Sequence, residues 1–208
     1  MGGIIKVNIN INSYYQKREN IFNSIQESTV VTKTILAFLM ACLTGILAQI
    51  IIPLPFTPVP ITGQTFAVLI AGLILGKKYG VLSQVIYIGL GATLIPWYGG
   101  MSGGFEILFG STFGYFVGFL LAAYFIGAIS EKYVNLRKFW KMCAIIGIAN
   151  FFLIYVPGLI GLEAFTYINT GIVLAPIDLI IMGLVPFIIG DIVKIIGASA
   201  FSKVFLPK

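Results

Sequence analysis

The chain has no histidine, only two cysteines and few charged residues, and each of these shortages excludes a class of function. Cys42 and Cys143 lie in separate apolar runs, so the sequence contains no pattern typical of a zinc site, haem ligation or a His-based catalytic triad. Charged residues make up 10% of the 208 positions, whereas soluble domains carry about 25%. Because 59% of the residues are hydrophobic, an integral membrane protein without a bound metal is predicted.

Signatures of common enzyme classes are also missing from the sequence. The stretch GLILGKK, from Gly72 to Lys78, is not a P-loop, because its spacing is one residue short and lysine occupies the Ser/Thr position. Neither GxSxG nor HExxH occurs. We therefore predict that the chain is not an enzyme.

Long apolar runs dominate the sequence after a polar start. Runs of about 20 residues can cross about 30 Å of hydrocarbon, and Pro/Gly clusters separate them. The sequence thus predicts an all-α membrane protein with six transmembrane helices. Their approximate ranges are 34–53, 60–76, 79–95, 105–130, 142–161 and 187–206. Residues 34–208 form the membrane-embedded domain, and residues 1–33 form a polar cytoplasmic segment, either a poorly ordered tail or one with an amphipathic helix near 14–30.

The start of the last helix has two interpretations. A short interfacial helix can precede a last helix that starts at 187, just after Pro186, where a proline is well tolerated. Alternatively, one long helix starts near 172 and is kinked at Pro176 and Pro186. We favour the first interpretation, because thirty helical residues overshoot the bilayer.

Basic residues are distributed unevenly between the predicted loops. Of the 13 Lys and Arg residues, all but Lys194 fall in the terminal segments or in the loops joining helices two to three and four to five. The loops 54–59, 96–104 and 162–186 contain none. By the positive-inside rule, both termini are predicted to be cytoplasmic in a multi-pass protein.

Asp191 and Lys194 are an exception within the apolar stretch PFIIGDIVKIIGASAF. Ionisable groups are costly at membrane depth and usually face a partner, a cavity or a substrate. Residues three apart share one helix face, so the pair forms one patch with a carboxylate and an ammonium. This patch is either a self-neutralising structural ion pair or the polar part of a ligand pocket.

Two loops on the predicted outer side are candidates for a lid. Four prolines between residues 53 and 60 favour a stiff, extended segment, which Gln64 follows with both a donor and an acceptor. The loop IPWYGGMSGGF is rich in glycine, and Gly103 belongs to the segment Gly99–Gly104 expected to approach a ligand closely. Trp97 is interpreted either as a ring that stacks on a ligand or as an interfacial residue.

Small residues recur at four-residue spacing in two predicted helices, a pattern that allows close helix packing. Ala37, Ala41 and Gly45 mark one face of the first helix. The second face is in the fourth helix and comprises Gly110, Gly114 and Gly118. Packing within the bundle is the simpler interpretation for the fourth helix, whereas the face on the first helix can also dock another subunit.

Several motifs resemble those of a known family. The runs PLPFTPVPITGQTFAVLIAGLILGKKYGVLSQVIYIGLG, IPWYGGMSGG, GSTFGYFVGF and GDIVK occur in an order similar to that of the BioY family. These proteins are the membrane-embedded biotin-binding S components of energy-coupling factor (ECF) transporters. The resemblance covers roughly residues 34–206 and leaves the polar N-terminal segment outside. The family pattern has Leu at Gly63, something closer to GPTGGY at residues 110–115, and often Trp at Gly161. These departures are expected to change the pocket wall.

The resemblance implies a six-helix S-component fold in a prokaryotic cell membrane, with biotin bound near the outer face under the loops 54–59 and 96–104. It implies a transmembrane coupling (T) subunit and two cytoplasmic ATPases as partners, no nucleic acid, and no cofactor on this chain, because ATP is hydrolysed by those partners. Ala37 and Ala41 match an AxxxA face that docks the coupling subunit. The implied biotin contacts are Asp191, Lys194, Gln64, Tyr115, Trp97 and Gly103.

Two other functions remain open at this point. The same transporter architecture with another vitamin as substrate is compatible with the changes at Gly63 and Gly161. A membrane enzyme or assembly factor that uses Asp191 catalytically is disfavoured, because no second acid or base and no nucleophile accompany this carboxylate.

Overall fold

The protein is a helical bundle, and the computed structural model describes residues 11–93 and 95–207. Within these residues, five helical stretches are long and apolar enough to cross a membrane. They are Val30–Ala48, Gln64–Thr93, Phe113–Lys132, Phe139–Thr170 and Pro176–Phe205. The second stretch is folded back on itself, which gives the six-helix arrangement that the sequence predicts.

Helix α3 (Gln64–Thr93) consists of two antiparallel arms that meet at Gly76. In a straight helix, Gln64 and Tyr87 would be about 35 Å apart. Instead, Nε2 of Gln64 donates a hydrogen bond of 2.5 Å to Oη of Tyr87. The backbone of Gly76 has φ 72° and ψ −176°, a conformation that only glycine adopts readily. The predicted helices 60–76 and 79–95 are therefore two separate crossings.

Glu131 fixes this turn from the neighbouring helix α5 (Phe113–Lys132). Its Oε1 accepts a hydrogen bond of 2.8 Å from the backbone N–H of Lys77, and its Oε2 lies 3.6 Å from Nζ of the same lysine. A Cβ atom on Gly76 would collide with the Glu131 carboxylate. The turn thus depends on both the glycine backbone and the space that the missing side chain leaves.

The first membrane helix, α2 (Val30–Ala48), is shorter than the predicted range of 34–53 at its C-terminal end. Pro53 accounts for the difference, because a proline disfavours helical geometry in the residue before it. The chain instead forms strands β1 (Ile51–Ile52) and β2 (Ile61–Thr62), which pair antiparallel. The four prolines lie between these strands, where the sequence predicts an extended, stiff segment; the turn at residues 55–56 and the pairing of the strands were not predicted.

The predicted helix 105–130 is interrupted. A short helix, α4 (Phe105–Leu108), precedes α5, and Gly110 lies in the break between them. Glycine disfavours helix interiors, which is consistent with the break at this position. The next crossing is longer than the predicted 142–161, because α6 (Phe139–Ile148), a π-helical segment (Ala149–Ile154) and α7 (Tyr155–Thr170) are continuous.

The last crossing agrees with the favoured interpretation. A short helix, α8 (Pro176–Gly183), is followed by a 3₁₀ turn (Val185–Phe187) and then by α9 (Ile188–Phe205). Leu184 breaks the helix, with φ −136° and ψ −51°. The last helix therefore begins just after Pro186, and Asp191 and Lys194 lie in its first two turns.

The N-terminal helix α1 (Ile11–Gln26) agrees broadly with the predicted amphipathic helix near 14–30. Arg18 Nη1 donates to the carbonyl of Lys203 at 2.9 Å, and Gln26 Nε2 donates to the carbonyl of Ile74 at 3.4 Å. The helix thus contacts the end of α9 and the Gly76 side of α3. Residues 1–10, with Lys6, and residue 208 lie outside the described residues, and the cytoplasmic placement of 1–33 stays a prediction.

Both small-residue faces pack within the chain. Ala37 and Ala41 are fully buried, and a Cβ on Gly45 would stand 3.0 Å from the ring of Trp97. In α5, Gly114 and Gly118 leave space for the backbone of α7 and of the π-helical segment. The packing interpretation is therefore correct for α5, and the alanines of α2 offer no free docking face in this structure.

The Gly76 turn gives a first prediction. Gly76→Ala should destabilise the fold by about 1–3 kcal/mol, because alanine is strained in this backbone conformation and its methyl group displaces Glu131. Gly89→Ala is the matched control, since Gly89 is helical and exposed and has no atom within 4 Å of an added Cβ. Thermal unfolding in detergent measures both variants, and equal midpoints would contradict this account of the turn.

Candidate functional site

A small chamber of about 60 Å³ lies at the end of the bundle opposite the Gly76 turn. Its floor is polar and its walls are mostly aromatic and aliphatic. The polar lining comprises Thr62, Gln64, Thr65, Thr112, Asp191 and Lys194. The walls comprise Val59, Pro60, Tyr115, Phe116, Phe119, Ile154, Tyr155 and Phe187. A mostly apolar pocket with a few convergent polar groups is typical of a small-molecule site.

Asp191 is the centre of the polar floor and is 1% exposed. Its Oδ2 accepts hydrogen bonds from Asn150 Nδ2 at 2.8 Å and from Tyr155 Oη at 2.5 Å. Its Oδ1 lies 2.9 Å from Nζ of Lys194. These donors offset the cost of removing a carboxylate from water, because charge-assisted hydrogen bonds are about twice as strong as neutral ones.

Lys194 connects the carboxylate to the start of α3. Its Nζ donates to Oγ1 of Thr65 at 2.7 Å as well as to Asp191. An ammonium group has three N–H donors, so one donor remains after these two contacts. The lysine side chain is 16% exposed and lines the chamber, so this donor is available to a bound molecule.

Gln64 and Tyr115 occupy the walls, and both are held by their own hydrogen bonds. Gln64 donates to Tyr87 and accepts from Oγ1 of Thr62 at 2.8 Å. Tyr115 donates to the carbonyl of Gly183 at 2.7 Å, and its ring meets Tyr155 edge-on at 5.9 Å between centroids. The walls are therefore arranged before any ligand enters.

A wider outer chamber of about 360 Å³ shares Pro60, Thr62, Gln64, Thr112 and Phe116 with the inner one. Pro58 and Phe165 also line it, and the remaining lining comes from the loop and short helix that precede α5. These residues include Tyr98, Gly99, Ser102, Glu106, Ile107 and Ser111. The two chambers are adjacent, and the Asp191–Lys194 ion pair lines the inner one.

Trp97 and Gly103 do not line either chamber, in contrast to the prediction. Trp97 is buried, and its Nε1 donates to the carbonyl of Tyr87 at 2.8 Å. A Cβ on Gly103 would stand 2.9 Å from the carbonyl of Gly91, so this glycine serves close packing of the loop against α3. The ring of Trp97 thus packs in the core of this structure, and its contact with a ligand stays a prediction.

The loop 96–104 is anchored more firmly than a mobile lid would be. Gln49 donates to the carbonyls of Trp97 and Tyr98, at 3.0 Å and 3.2 Å, and accepts from the N–H of Met101 at 2.9 Å. Burial raises the pKa of Tyr98 to about 12, so its hydroxyl stays a donor at neutral pH and contacts the carbonyl of Ile88. The loop is therefore a fixed wall of the outer chamber.

Asn150, Thr65 and Tyr155 are site residues that sequence reasoning missed. Asn150 is the only strongly polar side chain in the apolar run 142–155. Because burying an amide without a partner is costly, this residue could have been predicted to face a polar partner. Thr65 lies next to Gln64, which the sequence did single out. The sequence does not indicate that Asn150 and Tyr155 contact the same carboxylate, because this contact depends on the π-helical geometry between them.

Two of the three departures from the family pattern, at Gly63 and Gly161, lie outside both chambers, whereas the third, at residues 110–115, contributes Ser111 and Thr112 to their lining. The N–H of Gly63 bonds the carbonyls of Leu47 and Ile50, each at 3.1 Å, and a Cβ there would stand 2.7 Å from the Leu47 carbonyl. A Cβ on Gly161 would stand 2.6 Å from the backbone nitrogen of Gly114. Gly63 and Gly161 therefore do not form the pocket wall, whereas the third departure does belong to it.

Fold and site together define a multi-pass membrane protein that encloses a polar-floored pocket for a small molecule. The fold is that of a solved S-component for biotin from an ECF-type ABC transporter, with a TM-score of 0.73 and 24% identity over 85% of this chain and 93% of that chain. A model of the BioY family matches residues 17–207, so the chain belongs to the BioY family. This match includes part of the N-terminal segment that the sequence motifs left outside.

Relatives at higher identity support the same membership. A probable biotin transporter BioY of Methanothermobacter thermautotrophicus is 46% identical over 138 residues, which are 66% of this chain and 88% of that protein. The biotin transporter BioY of Thermotoga maritima is 36% identical over 151 residues, or 71% of this chain and 81% of that protein.

The placement of Trp97 can be tested without a ligand. Trp97→Phe removes the hydrogen bond to Tyr87 and part of the core packing, so it should lower the free energy of unfolding by about 1–3 kcal/mol. Trp140→Phe is the control, because Trp140 is 80% exposed. Thermal unfolding in detergent compares the variants, and an unchanged midpoint for Trp97→Phe would argue against the buried position.

Proposed function

We propose that this chain captures biotin at the outer face of a prokaryotic cell membrane and serves as the substrate-specific component of an ECF-type ABC transporter. The observation that carries the proposal is an enclosed Asp191–Lys194 floor under apolar walls in a member of the BioY family. The description of the relatives as transporters agrees with the prediction that the chain is not an enzyme.

The chemistry of biotin fits the groups that remain available. Biotin has ureido N–H donors, a ureido carbonyl, an apolar bicycle with a thioether, and a carboxylate on a flexible chain. Lys194 retains one donor for the carbonyl or the carboxylate. Oδ1 of Asp191 receives a single donor and can accept a second, such as a ureido N–H. Phe116, Phe119 and Tyr115 would cover the bicycle, and Gln64 would supply orientation.

The chamber end of the bundle is proposed to face outward. The hairpin 53–60 and the loop 96–104 border the chambers and contain no lysine or arginine. Lys77 and Lys203 lie toward the other end, with the Gly76 turn and the helix α1. The positive-inside rule then places that end, and both termini, in the cytoplasm.

The proposal includes partners and excludes a cofactor on this chain. A transmembrane coupling (T) subunit and two cytoplasmic ATPases would supply the energy, with ATP hydrolysed on the partners. Docking of the coupling subunit through Ala37 and Ala41 would require α2 to shift, because both alanines are fully buried. The exposed side of α2, with Ile35, Phe38 and Leu39, is the alternative contact.

Biotin titration of the purified protein tests the proposal. Asp191→Asn and Lys194→Ala should each weaken binding by roughly 1.5–3 kcal/mol, or about 10- to 150-fold in dissociation constant, because each removes a charged hydrogen-bond partner. Isothermal titration calorimetry in detergent measures the change. Thermal unfolding of each variant is recorded in parallel, since breaking a buried ion pair also destabilises the fold.

Matched controls are present in the same chain. Asp178→Asn and Lys203→Ala change the same residue types at exposed positions and should bind biotin as the wild type does. A folded wild type that binds no biotin would refute the proposal, and other vitamins in the same assay would then test the alternative substrate. Undiminished binding by both Asp191→Asn and Lys194→Ala would show that the ion pair is only structural.

A further inference from the structure

The π-helical segment Ala149–Ile154 lies next to the polar floor and has no role yet in the proposed function. Asn150, in this segment, and Tyr155, just after it, donate to the same atom, Oδ2 of Asp191. They are five residues apart. In a regular α-helix that spacing leaves two side chains about 140° apart around the axis, where they face different neighbours.

A π-helical turn removes this difference. Its hydrogen bonds join residues five apart, so side chains at this spacing come to the same side of the helix. π-helical turns within α-helices are rare and occur frequently at functional sites. Here the turn is what allows two donors from one helix to converge on one carboxylate oxygen of α9.

The neighbouring helix α5 packs tightly against the π-helical segment. A Cβ on Gly118 would stand 2.5 Å from Cα of Ile154, so the two backbones are in close contact. Ile154 is itself fully buried and lines the inner chamber. The segment is thus a packed part of the wall rather than an irregularity on the lipid-facing surface.

Asn150 differs from the other residues around the carboxylate because it does not line the chamber. Its side chain is fully buried, and the amide is directed at Asp191 through Nδ2. A molecule in the chamber would therefore meet Asp191 and Tyr155 but not Asn150. Oδ1 of Asn150 accepts no hydrogen bond from the described residues, so the contact through Nδ2 is the one that connects Asn150 to the site.

We infer that the π-helical segment is a positioning device for the ligand-binding carboxylate, and that Asn150 is its positioning residue. Two donors fix Oδ2 toward α6 and α7, which turns Oδ1 toward Lys194 and the chamber. The identity of the ligand as biotin rests on the proposed function, whereas the geometry of the carboxylate does not.

The test combines a ligand-free signal with biotin affinity. The chain contains two aspartates, Asp178 and Asp191, so in an Asp178→Asn background an isotopic label on the aspartate carboxyl carbon reports Asp191 alone by NMR. Asn150→Leu should shift this resonance and weaken biotin binding about 10- to 100-fold, because one donor to a charged group is lost. Tyr155→Phe should also shift the resonance, since it removes the second donor to Oδ2 of Asp191.

Phe152→Ala is the control, because it keeps the length of the segment and changes a side chain that is 62% exposed. It should leave the resonance and the affinity unchanged. If Tyr155→Phe does not fold, Asn150→Leu decides alone. An unshifted resonance in Asn150→Leu, or a shifted resonance with wild-type affinity, would overturn the inference. A wild type that binds no biotin would refute the proposed function instead, and the resonance would still test the position of the carboxylate.

Discussion

The burial of one carboxylate within the membrane-spanning bundle is the constraint on which the polar part of the structure depends. An unpartnered carboxylate is costly in an apolar bundle, and the three donors to Asp191 come from α9 itself, from the π-helical segment and from the start of α7. Lys194 supplies the compensating charge and extends the network to α3 through Thr65. One buried charge thus ties three crossings together at the level of the chamber.

The glycine contacts have a complementary role, because they let the helices approach closely enough to make this network short. Gly114 and Gly118 bring α5 against the helix that presents Asn150 and Tyr155. Gly63 and Gly161 allow backbone contacts elsewhere without entering the chambers. Helix packing in membranes relies on such small residues, since lipid gives no hydrophobic drive for helices to associate.

Much of the fold was predictable because hydrophobic runs, prolines and charge asymmetry report directly on membrane crossings. The Asp191–Lys194 pair and Gln64 were recognisable for the same reason: their cost in an apolar run is visible in the sequence. The predicted helix ends were wrong where a proline or glycine interrupts the helix, as near Pro53 and at Gly110. The direction of the Trp97 side chain was not predictable either. A tryptophan at this position of the sequence is equally compatible with a ring that faces lipid, a ligand or the core.

The first arm of α3 has a consequence for how the chain crosses the bilayer. Residues 64–75 rise only about 18 Å, whereas the hydrocarbon is about 30 Å thick. The proline hairpin precedes this arm, lacks helical hydrogen bonds and lines the inner chamber with Val59 and Pro60. Such non-helical backbone is tolerated within the hydrocarbon region only where protein or an aqueous cavity shields it from lipid. The chamber beside the hairpin provides this shielding. Because α3 begins only at Gln64, the hairpin and the chamber both fit at this end of the bundle.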